Sequence, residues 1–308
     1  MLRLGLCCIF RNEPIKFRRT TARYVLKHPV EQQRLHLADI CRHNADSLMQ
    51  ALAFCSGHGI GAFRINSQIL PVITHPQAGY AMADLPGGPT IIDMFKTCGR
   101  YARAQDIRLS FHPDQFILLS SPKKEVVRRA LADLQYHAQV ADWVGADVIN
   151  IHGGGAYGDK TGTLKHLARE IRNLPETIRH RLTLENDDRV YTPRDLLPLC
   201  RDTGIPLVYD VHHHRCRPDG RSIEETTRLA IETWNREPLF HLSSPLTIGG
   251  IKADRRHHDF IDIKDFPRVW LGLDITVDVE AKAKELAVLK LKQDLKTLET
   301  DGTRERLS

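Results

Sequence analysis

The chain has 308 residues, of which 42% are hydrophobic and 27% charged. That balance excludes a mainly disordered, collagen-like or coiled-coil chain and leaves enough residues for one large core. No run reaches the ~18 apolar residues of a membrane span, the apolar opening from Leu2 to Phe10 is too short for a signal peptide, and a net charge of +6 permits a polyanionic partner without requiring one.

Short apolar runs alternate with longer amphipathic segments along the whole chain. The first strand is expected at Leu2–Cys8, followed by a basic insertion over residues 11–34 and a helix at Leu35–Gly57. Next come a strand at Ala62–Ile65, a helix at Thr90–Gln105, a strand at Ile107–Phe111 and a helix at Glu125–Gly145. The series continues with strands at Val148–Ile151 and Leu182–Leu184 around a helix at Lys160–Asn173, then a helix at Pro193–Thr203 and a strand at Pro206–Tyr209. A helix at Ile223–Asn235, a strand at Leu239–Leu242, a loop insertion over 243–265, a strand at Ile275–Val279 and a helix at Ala281–Thr297 complete it. The polar tail after Thr297 is expected to fray. Most strand runs are continuously apolar rather than alternating, as in parallel strands covered on both faces. Glycines at 57, 145 and 204 stand where helix C-caps are expected. Eight strands alternating with helices predict a single α/β domain over residues 1–308, a (β/α)8 TIM barrel; the alternative is an open doubly wound sheet.

The seven cysteines show no C-x-x-C spacing and read as reduced thiols of a cytosolic protein, mostly buried. The sixteen histidines carry more information. His112, His152, Glu185 and Asp210 each close or immediately follow a strand, His241 lies within one, Glu280 follows the last, and His75 and His258 sit in strand-following loops. Parallel strands bring their C-terminal ends to one mouth, where buried imidazoles and carboxylates cost several kcal/mol unless paired or coordinated. Imidazole and carboxylate without thiolate suits zinc, manganese or iron, and so many donors imply two or three ions. Ions ~4 Å apart clamp the attacking and leaving oxygens of a phosphodiester, with water as nucleophile. Glu185 or Glu280 is the natural bridge, and with His241 they are the expected catalytic centre. His212, His213 and His214 cannot all face the mouth, because alternate side chains of an extended stretch point opposite ways.

His152-Gly-Gly-Gly-Ala-Tyr-Gly158-Asp-Lys160-Thr161 is not a phosphate-binding P-loop, because Asp159 stands where the lysine belongs. The glycines either let backbone amides approach a phosphate or form an ordinary strand-to-helix turn. Gln115-Phe116, on the loop after the third strand, is either a wedge for a base stack or packing within its own loop; from the residues alone, packing is preferred.

The stretches Leu-Ser-Phe-His112-Pro-Asp-Gln115-Phe116, His152-Gly-Gly-Gly-Ala-Tyr-Gly158, Leu-Glu185-Asn-Asp, Asp210-Val-His-His213-His and Val-Glu280-Ala-Lys-Ala-Lys-Glu resemble the UV damage endonucleases. The resemblance runs from Leu2 to Glu285. It implies a TIM barrel with up to three ions, manganese being the usual activator and zinc, cobalt or iron the alternatives. It implies a nick 5′ to UV photoproducts in double-stranded DNA, leaving a 3′-hydroxyl, with the damaged bases flipped out. By motif the metal ligands are His75, His112, His152, Glu185, Asp210, His213, His241, His258 and Glu280. The family's Gln-Tyr wedge matches Gln115-Phe116, which reverses the preference for packing.

Three positions depart from the pattern. Leu6 replaces a tyrosine, and Leu239 replaces a frequently carbamylated lysine, so that water or a vacant position takes the lysine's place. The first insertion also differs, with Asn12 as its polar candidate for probing the duplex. Phosphate contacts are expected from Arg18, Arg19, Arg215, Arg217, Arg255 and Arg256, giving steeply salt-dependent binding. The expected protein is a monomer, cytoplasmic and nucleoid-associated, with no membrane partner. The rival functions are a sugar isomerase or epimerase on the same barrel, and a damage-binding protein without turnover.

Overall fold

Eight parallel strands close into a barrel in sequential order, β1 pairing with β8 to complete the ring. The computed structural model describes residues 1–114, 117–247 and 254–305. The strands are β1 (Arg3–Cys7), β2 (Ala62–Ile65), β3 (Arg108–Phe111), β4 (Val148–His152), β5 (Leu182–Glu185), β6 (Leu207–Asp210), β7 (Leu239–Leu242) and β8 (Thr276–Val279). Around them run α1 (Ala22–Val25), α2 (Val30–His58), α3 (Gly88–Ala104), α4 (Lys124–Val144), α5 (Lys160–Arg172), α6 (Glu176–Arg179), α7 (Pro193–Thr203), α8 (Val211–Cys216), α9 (Ile223–Ile231) and α10 (Glu285–Glu305). This is the (β/α)8 TIM barrel that the alternation of elements predicts.

The expected elements differ at their ends, and three short helices, α1, α6 and α8, stand where none was expected. α2 begins at Val30, inside the basic insertion, directly after Pro29, whose fixed φ suits a helix start. It runs through Gly57 to His58 and is capped by Gly59, at φ 60°, while Gly145 caps α4 at φ 74° as expected. α10 starts four residues later than expected and continues to Glu305, past the point where fraying is expected.

Two apolar layers follow from the period of two along each strand. Leu4, Leu6, Phe63, Leu109, Phe111, Ile149, Ile151, Leu184, Phe240 and Val277 are buried in the main core cluster beneath the helices. The alternate residues face the barrel axis. There, Val148, Val208 and Leu239 form a small separate apolar cluster with Trp234. At the N-terminal opening Arg108 makes paired hydrogen bonds to Asp147, at 3.1 and 2.9 Å, and a 3.0 Å bond to Thr276. The opposite end is left to polar side chains. All seven cysteines are free, five of them buried. Among the described residues, no helix is long and apolar enough to cross a membrane.

Candidate metal centre

Glu185 closes β5 at the C-terminal mouth and is 1% exposed. Its Oε2 lies 2.8 Å from His112 Nε2 and 3.9 Å from His152 Nε2, and accepts a 2.6 Å hydrogen bond from Asn150 Nδ2. Its Oε1 lies 3.2 Å from His241 Nδ1 and 3.3 Å from His213 Nδ1. One carboxylate therefore meets four imidazoles, from β4, β7, α8 and the residue after β3. Thr183 donates to Asn150 Oδ1 at 3.0 Å, which holds the Asn150 amide in register against Glu185. Asn150 and Thr183 each stand two residues before a site residue, so strand periodicity puts them on the same face, one layer below.

Asp210 ends β6 and caps the short helix α8. Its Oδ1 accepts from the His213 backbone N–H at 2.7 Å, while its buried Oδ2 has no hydrogen-bond partner among the described residues. Asn186 clamps the ends of β5 and β6 together, its amide bonding to both the N–H and the carbonyl of Asp210. Residues 211–216 are helical rather than extended, and this separates the three consecutive histidines. His213 faces Glu185 and Asp210. His214 is held by the Tyr209 hydroxyl at 2.8 Å and by Asp219 at 3.1 Å. His212 is fully buried beside His257, the ring centroids 5.5 Å apart.

Among the described residues, three trios each bring their ligand atoms within 4.8 Å of one another: His112–His152–Glu185, Glu185–Asp210–His213 and Asp210–His241–Glu280. They share Glu185 and Asp210. Asp210 Oδ2, His152 Nδ1 and both ring nitrogens of His241 are buried and find no hydrogen-bond partner among the described residues. Burial alone would raise the Glu185 carboxyl, but His241, His152 and His112 hold it well below the usual range. Glu280 is likewise held low against its burial by Arg64 and His241. Burial opposes charge on His241, yet Glu185 and Glu280 raise it to about 9. Asp210 and Glu185 raise His213 in the same way, whereas burial lowers His152. The donor set is anionic carboxylate and imidazole in a dry pocket, which fits two or more divalent cations of the zinc, manganese or iron group.

His75 and His258 stand outside these trios. His75 lies in the connection after β2, and its Nδ1 accepts the backbone N–H groups of Gln77 and Ala78, so it organises its own turn. His258 is fixed by its backbone: its N–H donates to Ser244, its carbonyl accepts from Lys282, and its Nδ1 accepts from the Phe260 N–H. Its neighbour His257 lies beside the cluster, with Nδ1 3.8 Å from Glu280 and Nε2 3.5 Å from Ser243. Sequence reasoning also missed Arg64, whose Nη1 lies 2.5 Å from Glu280. An arginine inside an apolar strand was the available signal.

Beside the cluster a cleft of about 610 Å³ is lined by Cys8, Arg19, Arg64, Asn66, His112, His152, Glu280 and Lys284, among others. Arg19 is exposed on its rim. The other predicted phosphate contacts are mostly engaged: Arg18 with Asp39, Arg215 with Asp265, Arg255 with Asp188 and Arg256 with Asp254. Asn12 is exposed, its backbone N–H held by Glu285. Leu6 is fully buried under the helices and Leu239 lies inside the barrel, so neither reaches the mouth. Gly153 is a packing residue, since a Cβ there would stand 2.8 Å from the Tyr191 ring. Gln115 and Phe116 lie outside the described residues.

The UV-endonuclease UvdE family model matches residues 2–303. The chain belongs to this family. A UV DNA damage endonuclease of Bacillus velezensis is 35% identical over 304 residues, covering 94% of this chain and 92% of that protein. Another, from Bacillus cereus, is 34% identical over 270 residues, covering 85% and 84%. The crystal structure of SacUVDE superposes with a TM-score of 0.85 at 28% identity, covering 97% of this chain and 99% of that one. The barrel itself is shared more widely. Endonuclease IV of Thermus thermophilus has a TM-score of 0.60 at 16% identity, covering 82% of this chain and 94% of that one, a likeness of fold alone.

Proposed function

We propose that the protein is a divalent-metal-dependent DNA repair endonuclease that nicks the backbone 5′ to UV photoproducts and related lesions. The observation that carries this reading is the run of three donor trios sharing Glu185 and Asp210 at the barrel mouth. His112, His152, Glu185, Asp210, His213, His241 and Glu280 would hold the cations, manganese being the first choice. Divalent cations supply Lewis acidity toward phosphoryl oxygens and lower the pKa of water.

The chain's own part is to bind and orient. Arg19 and Lys284 on the rim of the cleft offer charge to backbone phosphates near the cluster. Arg18, Arg215, Arg255 and Arg256 contribute by exchanging an aspartate for a phosphate, which makes binding depend on salt. Gln115 and Phe116 carry the wedge role. Flipping costs least at an already distorted site, so selectivity for damage follows without reading sequence. His75 and His258 support loops at the mouth, and His257 joins the side of the cluster near Glu280. The protein acts as a monomer on duplex DNA in the cytoplasm.

The test is an end-labelled duplex carrying one defined photoproduct, incubated with manganese, beside an undamaged duplex and His152→Ala. A single nick 5′ of the lesion, lost in the variant, is expected. Equal cutting of both duplexes would remove the damage specificity, and no cutting with manganese, zinc, cobalt or magnesium would remove the activity.

A further inference from the structure

Asp278 lies inside the barrel on β8, directly across the ladder from His241 on β7. It is 1% exposed, and neither carboxylate oxygen has a hydrogen-bond partner among the described residues. The same is true of both ring nitrogens of His241, which is fully buried. The two side chains approach each other at 3.8 Å, from His241 Nε2 to Asp278 Oδ2. The other ring nitrogen, Nδ1, faces Glu185 Oε1 at 3.2 Å and Glu280 Oε1 at 3.6 Å.

A buried carboxylate costs several kcal/mol unless it is paired. The nearest guanidinium, Arg64, lies 4.0 Å away and is already committed to Glu280 at 2.5 Å. The space around Asp278 is nevertheless made for it. Gly5 stands opposite on β1, and a Cβ there would come within 2.1 Å of Asp278 Oδ1. A strand residue without a side chain, facing an unpartnered carboxylate beneath a histidine, is an arrangement that packing alone does not call for.

We propose that Asp278 is the positioning residue for His241. It accepts the Nε2–H of the imidazole and thereby leaves the Nδ1 lone pair on the side of Glu185 and Glu280, where it would be available to a cation held at the mouth. Closing 3.8 Å to a hydrogen bond of about 2.9 Å needs only a small tilt of the ring. A carboxylate behind a ligating imidazole fixes its tautomer and raises its basicity, and losing such a partner typically weakens metal binding about 10- to 100-fold. This inference rests on the proposal that the mouth holds divalent cations.

The test is manganese binding to the full-length protein, followed by the electron paramagnetic resonance signal of free ion. The visible spectrum of the cobalt-loaded protein and metal-free thermal melting are measured beside it. Asp278→Leu is expected to weaken manganese binding about 10- to 100-fold and to shift the cobalt bands. Its metal-free melting temperature should be unchanged or raised, because a buried unpaired carboxylate has gone. Asp278→Asn keeps an acceptor oxygen and is expected to recover most of the affinity. Gly5→Ala leaves every charge in place but displaces the carboxylate, and should weaken binding on its own; it decides the matter if the leucine variant does not fold. Parental affinity and an unchanged cobalt spectrum in Asp278→Leu, or in Gly5→Ala where that variant decides, would overturn the proposal. A parent that binds no manganese would overturn it together with the metal reading, so the two failures are distinguishable.

Discussion

Arg64 Nη1 meets Glu280 Oε1 at 2.5 Å inside the barrel, with both side chains largely withdrawn from water. The guanidinium faces a concentration of anions, with Asp278 at 4.0 Å on the same side. It therefore acts as a built-in countercharge where a cation would also be attracted. Arg64→Met should destabilise the metal-free protein by about 3–5 kcal/mol, because removing one partner of a buried pair leaves the other uncompensated. A divalent cation replaces part of the lost charge, so saturating manganese should raise the melting temperature of the variant more than that of the parent. Equal metal-induced shifts would show that Arg64 and the cation do not share Glu280.

Glu185 is the carboxylate on which the cluster converges, touching His112, His152, His213 and His241. Glu185→Gln preserves its shape but turns one oxygen into a donor that faces imidazoles. Bound manganese, measured by elemental analysis after gel filtration, should fall by at least one ion per chain, and nicking should fall by about 10³-fold or more, the scale of a lost transition-state electrostatic contact. The far-ultraviolet circular dichroism should stay unchanged. Full metal content in this variant would remove Glu185 from the centre of the site.

The barrel was legible because its strands lie in short, mostly apolar runs and its helices are amphipathic, two signals that survive without any tertiary knowledge. The ends of β3 to β7 were legible too, since parallel strands must converge and their closing residues carry the donors. What the sequence hid was orientation. Nothing local distinguishes His257 from His258, because their facing is fixed by long-range backbone bonds from His258 to Ser244 and Lys282. His75 follows an apolar stretch just as a ligand might, and the use of its Nδ1 by the backbone of its own turn has no local sign in the sequence. Arg64 and Asp278 stand on the inward faces of β2 and β8, and nothing local to a four-residue strand marks which of its faces will line the barrel.

Glu285, at the start of α10, is 1% exposed and accepts the backbone N–H groups of Arg11 and Asn12, each at 2.7 Å. One carboxylate thus ties the basic insertion to the other end of the chain. Glu285→Ala leaves those amides unpaired at a cost of about 1–3 kcal/mol, felt locally. Hydrogen exchange over residues 9–14 should accelerate, and affinity for damaged duplex should fall, while manganese binding stays at the parental level. Unchanged exchange in this segment would show that the insertion is held by other contacts.

Arg19 is exposed on the rim of the cleft beside His112 and His152. A phosphate contact there adds a sequence-independent share of the affinity. Arg19→Ala should weaken binding to damaged and undamaged duplex alike. The slope of log affinity against log salt should also fall by about one, the contribution of one neutralised phosphate. A loss confined to the damaged duplex would instead place Arg19 against the lesion.

His137 on α4 carries a pH dependence away from the metal centre. Its Nδ1–H donates to the Asp133 carbonyl at 2.7 Å, and Nε2 is buried without a partner. Burial pushes its pKa down from 6.5 to about 4. Between those values the unfolded chain binds a proton that the native state refuses. The stability from keeping His137 neutral is therefore complete above pH 6.5 and is lost as pH falls toward 4. The loss amounts to about 3 kcal/mol, at 1.36 kcal/mol per pKa unit. Urea unfolding of the metal-free protein at stepped pH should show this slope, and His137→Gln should flatten it within that window while leaving the rest of the profile in place. An identical slope in the variant would assign the acid sensitivity to other groups.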